Sequence, residues 1–353
     1  MPETHALVDG PVVLSTHPAP LVHFLRAGHV ESIHYGHVAV VDASGRLRAW
    51  AGNPQLPIFP RSAFKPFQAL PLVESGAFAA SGLGADALAL IAGSHSGTER
   101  HAALALTILE RAGASAADLR CAAHEPYDEA SAHALRARGE EPGPLRHNCS
   151  GKHAGMLLFA RHLGAPLASY TDPAHPVQRA IFDRFASLTK KSFLDPVPAI
   201  DGCGAPTPRV LLSTLAHAFA LLATGVDAEG KPVPALAQIR DAMQAHAENV
   251  GGEGRLDTLL MRHMRGEIVC KVGAEGVHAT GHPKRGIGIA LKIIDGSRRA
   301  LKPAVVGMLD QVGILSLDER GRPTPPEVSV LRNHAGIEVG EVRSALVLER
   351  ETQ

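Results

Sequence analysis

Lysine is the residue this chain holds back: of its 35 basic residues, 26 are arginine and 9 are lysine. Charge of either sign is not in excess. The formal net charge is zero, with no basic face or acidic tail, which argues against nucleic acid or an anionic membrane as the main partner. Long apolar runs are missing as well. The longest candidate, residues 210–223, is interrupted by Ser213, Thr214 and His217, and nothing approaches the roughly 18 apolar residues that cross a bilayer. The first 14 residues lack the basic-then-apolar order of a secretion signal, so a soluble, cytoplasmic protein is expected. Cysteine is limited to Cys121, Cys149, Cys203 and Cys270, and in such a compartment these are expected to be thiols or ligands before disulfides. No internal repeat is present.

What is there suffices for a large core: 353 residues, 45% of them hydrophobic, suit one large domain or two lobes. Strand-like runs at 37–41 and 47–51 flank a turn at Ala43-Ser44-Gly45. A helix is expected over 64–75, stopped by Gly76. From about 93 to 265 the sequence is alanine-rich and helical in pattern. Ile108 keeps to one face with Leu104 and Arg111, Leu211 with Leu215, Phe219 and Leu222 before Gly225, and a further helix is expected over 152–163. Strand patterns return at 267–272, 287–294 and 345–348, with a helix over 302–312, and 322–328 is a proline-rich loop. The expectation is an α/β (α+β) fold whose sheet is built from N- and C-terminal segments with an inserted helical lobe. In numbers, a sheet domain would take 1–92 with 266–353 and a mainly helical domain 93–265, forming one compact unit.

The scarce lysines mark the chemistry. Ser62 and Lys65 are three apart, one helical turn, so a neutral Lys65 could take the proton of an attacking Ser62 hydroxyl. Free lysine titrates near about 10.4, so a base at neutral pH needs a fall of roughly 3 pH units, about 4 kcal/mol of environment. Burial or a neighbouring cation, Arg61 or a second lysine, supplies it. Pro66 biases Lys65 away from helical angles. By itself the pattern is weak and more often marks a surface helix. Gly93-Ser94-His95-Ser96-Gly97 is a tight turn before a helix, in which Ser96 or Thr98 is expected as a cap and Ser94 finds a partner in Lys271. Cys149 precedes a helix start, where the dipole favours a thiolate and lowers the affinity of Lys152 for its proton. Two thiolates of Cys149 and Cys203 with a neutral Lys152 amine could hold zinc and one water. Two buried cysteines in glycine turns, or a disulfide between them, remain open. Cys121 and Cys270 are expected in the core, and His124, His147 and His153 are the histidines expected near a site.

Taken together, Arg61-Ser62-x-x-Lys65-Pro66, Ser94-His95-Ser96, residues 147–155 (His-Asn-Cys-Ser-Gly-Lys-His-Ala-Gly), Asp201-Gly202-Cys203, Gly254-Arg255 and Lys271-x-Gly273-Ala274-Glu275-Gly276 resemble the asparaginase II family, the Rhizobium etli-type or class 3 L-asparaginases. The resemblance runs from about residue 31 to 315. It implies hydrolysis of L-asparagine to L-aspartate and ammonia, a fold similar to serine β-lactamases and class A glutaminases, and a homodimer. It also implies catalytic Ser62, Lys65, Ser94 and Lys271, a zinc ion on Cys149, Lys152 and Cys203, and Asp201 behind it. Substrate contacts are expected from Arg61, Arg255 and Gly151. The chain departs from relatives at Gly204, where some have asparagine, at Ala122, where glycine is common, and in its tail past residue 317. A glutaminase or another β-lactamase-like Ser–Lys amidohydrolase is the nearest rival. A non-enzymatic zinc-binding protein is the second.

Overall fold

The computed structural model describes residues 15–315 and 330–350. The first 14 residues and the proline-rich segment 322–328 lie outside the described residues.

Strands come first: β1 (Ala19–Arg26), β2 (His29–Asp42), β3 (Leu47–Ala51) and the short β4 (Pro57–Ile58). A 3-10 turn at Arg61–Phe64 leads into α1 (Lys65–Glu74), α2 (Ala77–Ala80) and α3 (Ala85–Ile91). The helical middle holds α4 (Glu99–Arg111), α5 (Glu129–Ala137), α6 (Ser150–His162) and α7 (Pro176–Thr189). Two-residue strands β5 (Ala199–Ile200), β6 (Pro206–Thr207) and β7 (Val210–Leu211) precede α8 (Leu212–Thr224), α9 (Pro234–Ala245), α10 (Ala247–Val250) and α11 (Leu256–His263). The chain then returns to β8 (Val269–Gly273), β9 (Val277–His282), β10 (Ile287–Ile293), α12 (Arg298–Gln311), β11 (Val330–Arg332), β12 (Glu338–Ser344) and β13 (Glu349–Arg350).

Among the described residues a nine-stranded antiparallel sheet forms in the order β11-β12-β1-β2-β10-β9-β8, with β3 and β13 attached beside β2. Every one of its strands comes from the two ends of the sequence, as expected, and the helices lie between. The long β2 makes this possible: its first half pairs β1, and its second half pairs β10 on one side and β3 on the other. The helix α8 lies across β2, β9 and β10. It is apolar around most of its circumference because other helices cover its outer side. Gly288 and Gly281 let it come so close: a Cβ at Gly288 would collide with the Ala216 carbonyl, and one at Gly281 with the Phe219 carbonyl. One hydrophobic cluster runs from the sheet into α1, α3, α6, α8 and α9.

Three expectations need correction. Residues 345–348 link β12 to β13 and form no strand; Leu346 and Leu348 are buried without pairing. Lys65 is helical despite Pro66, with φ −58° and ψ −38°. Pro66 falls in the first turn of α1, where its missing N–H has no acceptor to lose. Arg111 is exposed and does not share the buried face of Ile108.

Candidate active site

The edge of the sheet sets the position of the site. Strand β8 is the terminal strand, and Gly273 lets the 3-10 turn dock on it, since a Cβ there would lie 2.5 Å from the Pro60 carbonyl. Arg61 opens that turn with a φ of +52°, a conformation that costs a non-glycine residue of order 1–3 kcal/mol. This bend places Ser62 half-buried on the wall of a cleft of about 370 Å³. Ser94, Asn148, Arg255, Asp257 and Lys271 line the same cleft.

Lys65 is buried beneath Ser62, one turn on. Its Nζ donates to the Gly93 carbonyl at 2.5 Å and lies 2.7 Å from Ser94 Oγ and 3.4 Å from the Asn148 carbonyl. Ser94 is itself fixed by its N–H, which donates to the Val250 carbonyl at 2.7 Å. Burial is the main cause that brings Lys65 down to about 8. The Cys149 and Cys203 sulfurs oppose this, while the Lys152 and Lys271 charges reinforce it. A neutral amine here is within reach of the Ser94 proton.

The pairing differs from the one expected. Lys65 bonds Ser94 directly, and among the described residues no hydrogen bond joins it to Ser62. Lys271 does not bond Ser94. Its Nζ donates to Asp257 Oδ2 at 2.8 Å and to the Val272 carbonyl at 2.9 Å, and the Lys271–Asp257 pair is buried at 1% and 4% exposure. Asp257 also accepts the Val272 N–H at 2.8 Å, so the first turn of α11 caps the open edge of β8 and aims Lys271. Sequence reasoning missed Asp257. Fourteen positions separate it from Lys271, and only the docking of α11 on β8 brings them together.

Behind the cleft wall sit the thiols. All four cysteines are free and buried, and no disulfide joins Cys149 to Cys203. Instead the Cys149 thiol hydrogen-bonds Cys203, which pushes Cys149 well up and Cys203 well down. Cys149 is the N-cap of α6, and the Lys152 ammonium beside Cys203 favours the negative charge of the pair on that sulfur. Lys152 Nζ donates to Cys203 Sγ at 2.9 Å. Burial alone would lower Lys152, but the two sulfurs and Asp201 outweigh it and raise it in the metal-free protein. The donor types suit zinc: the buried Lys152 nitrogen lies against Cys203 Sγ, Cys149 is buried beside them, and the buried His153 Nε2 has no hydrogen-bond partner among the described residues.

His147 and His124 brace the turn before α6. Cys149 N–H donates to His147 Nδ1 at 2.9 Å, and Asn148 N–H to His124 Nε2 at 3.0 Å. His153 Nδ1 lies 2.6 Å from the Tyr170 hydroxyl. All three histidines are thus at the site, and His95 joins them through Ser150 Oγ at 2.9 Å. Of the two cysteines expected in the core, Cys121 is buried, and desolvation pushes its thiol up to about 12. Cys270 is buried too, its sulfur within 4.8 Å of ligand atoms of Asp257 and His278.

Two expected substrate contacts are elsewhere. Arg61 is committed to Asp201, its guanidinium 2.7 Å from Oδ1, and does not line the cleft. Gly151 is buried inside α6, where a Cβ would lie 2.6 Å from the Leu90 carbonyl; it serves helix packing. Arg255 does line the cleft. Two of the three departures from relatives fall at left-handed backbone positions. Gly204 has a φ of +80°, in the left-handed region that asparagine tolerates as well, whereas Ala122 holds +59° without that tolerance.

No curated protein matches the chain. Among solved structures, Mglu in its native form is similar, with a TM-score of 0.43 and 17% identity over 81% of this chain and 67% of that one. The Bacillus subtilis glutaminase YbgJ, solved as a covalent complex with 5-oxo-L-norleucine, has a TM-score of 0.35 and 12% identity over 75% of this chain and 82% of that one. The L-asparaginase II family matches residues 22–344. That match spans the serines, lysines and cysteines just described, and the chain belongs to the L-asparaginase II family and with it to the amidohydrolases.

Proposed function

We propose that the cleft hydrolyses the side-chain amide of L-asparagine to L-aspartate and ammonia, with Ser62 as nucleophile. One observation carries this reading. A buried amine, brought down to about 8, is held against the Ser94 hydroxyl one helical turn from Ser62. Ser62 Oγ bonds to the amide carbon while its proton passes through Ser94 Oγ to Lys65. The C–N bond then breaks, and ammonia leaves with that proton. Water attacks the resulting ester, returns a proton to Ser62 and releases aspartate. The Ser62 N–H, second in its helical turn and without an intrahelical acceptor, suits the developing oxyanion, a donor worth roughly 10²–10³ in rate. Lys271, ion-paired to Asp257, adds a fixed positive charge to the same wall.

Cys149, Lys152 and Cys203 would hold a zinc ion. When bound, it supplies a Lewis-acidic centre with a place for one oxygen ligand. Neither cysteine lines the cleft, and the Asn148 carbonyl near Lys65 belongs to the same turn as Cys149. A homodimer accompanies this reading, and sedimentation velocity tests it. In the described residues no helix is long and apolar enough to cross a membrane.

Ammonia release from asparagine, glutamine and a chromogenic β-lactam tests the function. Asparagine is expected to be preferred, and Ser62→Ala should lower kcat on the order of 10³-fold or more. If Ser62→Ala keeps near-full activity while Ser94→Ala is dead, the nucleophile is Ser94.

A further inference from the structure

The cleft holds charges that the chemistry above does not use. Arg255, half-buried, and Arg298, exposed, both reach Tyr127, their guanidinium carbons 5.2 Å and 5.8 Å from its ring centre. Neither forms an ion pair among the described residues. Arg298 is also badly placed for helix stability. It is the first residue of α12, where the dipole opposes a cation, and no acidic residue sits in that turn. Its neighbour Arg299 has partners instead, donating to Ser32 Oγ at 2.7 Å and to His34 Nε2 at 3.0 Å.

Glu275, in the loop between β8 and β9, lines the same cleft. Its φ is +60°, strained for a residue with a side chain. Its carbonyl is pinned by Lys292 Nζ at 2.8 Å, and its carboxylate rests against Gly296, where a Cβ would lie 2.7 Å from Oε2. Yet that carboxylate has no ion pair among the described residues. Asp257, the other carboxylate of the cleft, is committed to Lys271. The wall thus offers two uncommitted guanidiniums on one aromatic ring and one uncommitted carboxylate held in a strained loop.

Such a set complements the head of a free α-amino acid, which presents one carboxylate and one ammonium. We infer that Arg298, with Arg255 and Tyr127, binds the α-carboxylate of the substrate, and that Glu275 binds its α-ammonium. The inference rests on the amidohydrolase reading above and narrows it. It assigns the residues that read the two charges of asparagine, so amides lacking either charge are rejected.

Three amides separate the contacts. L-Asparagine has both charges, succinamic acid lacks the ammonium, and 3-aminopropanamide lacks the carboxylate. The intact enzyme is expected to favour asparagine over either analogue at least about tenfold in kcat/KM, the scale of one hydrogen bond to a charged group. Glu275→Gln should shrink the preference over succinamic acid about tenfold, and Arg298→Gln the preference over 3-aminopropanamide by a similar factor. Equal turnover of all three by the intact enzyme overturns the inference and leaves the hydrolase standing. So do losses in both variants that are uniform across the three amides. Calorimetric binding of L-aspartate gives a readout independent of turnover. About tenfold weaker binding in each variant supports the clamp, and unchanged binding in both rejects it.

Discussion

Two buried lysines 1% exposed meet opposite fates here. Lys271 has a carboxylate at 2.8 Å, whereas Lys65 has only carbonyl and hydroxyl oxygens and feels two other lysines. Desolvation is therefore the largest influence on Lys65, and the Cys149 and Cys203 sulfurs offset it only in part. The consequence is a pH dependence with a definite sign. Lys65 accepts a proton only when neutral, so in metal-free protein kcat/KM should climb as pH rises through about 8 and level off above it. Lys65→Arg, which cannot release its proton, should lower the plateau on the order of 10²–10⁴-fold. A pH–rate profile checks both, and a profile flat from pH 6 to 10 would sink the role of Lys65. At this scale the residues were legible but their partners were not. Ser62, Lys65, Ser94 and Lys271 could be picked out because lysine is rare and each sits beside a turn. That Lys65 meets Ser94, 29 positions away, depends on how α1 and the loop after α3 pack, which no local spacing encodes.

Among the elements, α8 has the least freedom to shift. Its backbone touches the sheet at Gly288 and Gly281, so any side chain there must push it away from β10 or β9. Gly288→Ala should cost about 1–3 kcal/mol or more, read as a lower denaturant midpoint with little change in slope. If stability is unchanged, the close approach is wrong. The helix was legible because its apolar residues repeat at helical spacing and Gly225 ends it at a φ of +75°. Strand β3 was equally plain, bounded by turn residues. Strand β9 was not: all six residues are buried, so Val-His-Ala-Thr-Gly-His shows no alternation. Strands β1 and β12 escaped because Pro20 and His23 interrupt one pattern, and polar or charged residues dominate the other, which lies towards the sheet's outer side.

For the molecule as a whole, the division into a sheet part and a helical part is a matter of layers more than of separate cores. One apolar cluster joins Leu21 and Val38 of the sheet to Leu90, Leu157 and Phe219 of the helices. A single cooperative thermal transition is therefore expected, with calorimetric and van't Hoff enthalpies in agreement. Two resolved transitions would show that the layers unfold apart. The general architecture could be foreseen, since strand patterns at both ends of a chain with helices between leave little choice but to close a sheet from the termini. The order of the strands could not.

That closure has a temporal side. Strand β2 spans residues 29–42, and the strand beside it, β10, spans 287–293. During synthesis the early strand waits through almost the entire reading of the message before its neighbour leaves the ribosome. Until then Ser62, Lys65 and Ser94 exist without the edge on which they are arranged, so a nascent chain carries the reactive groups and no working enzyme.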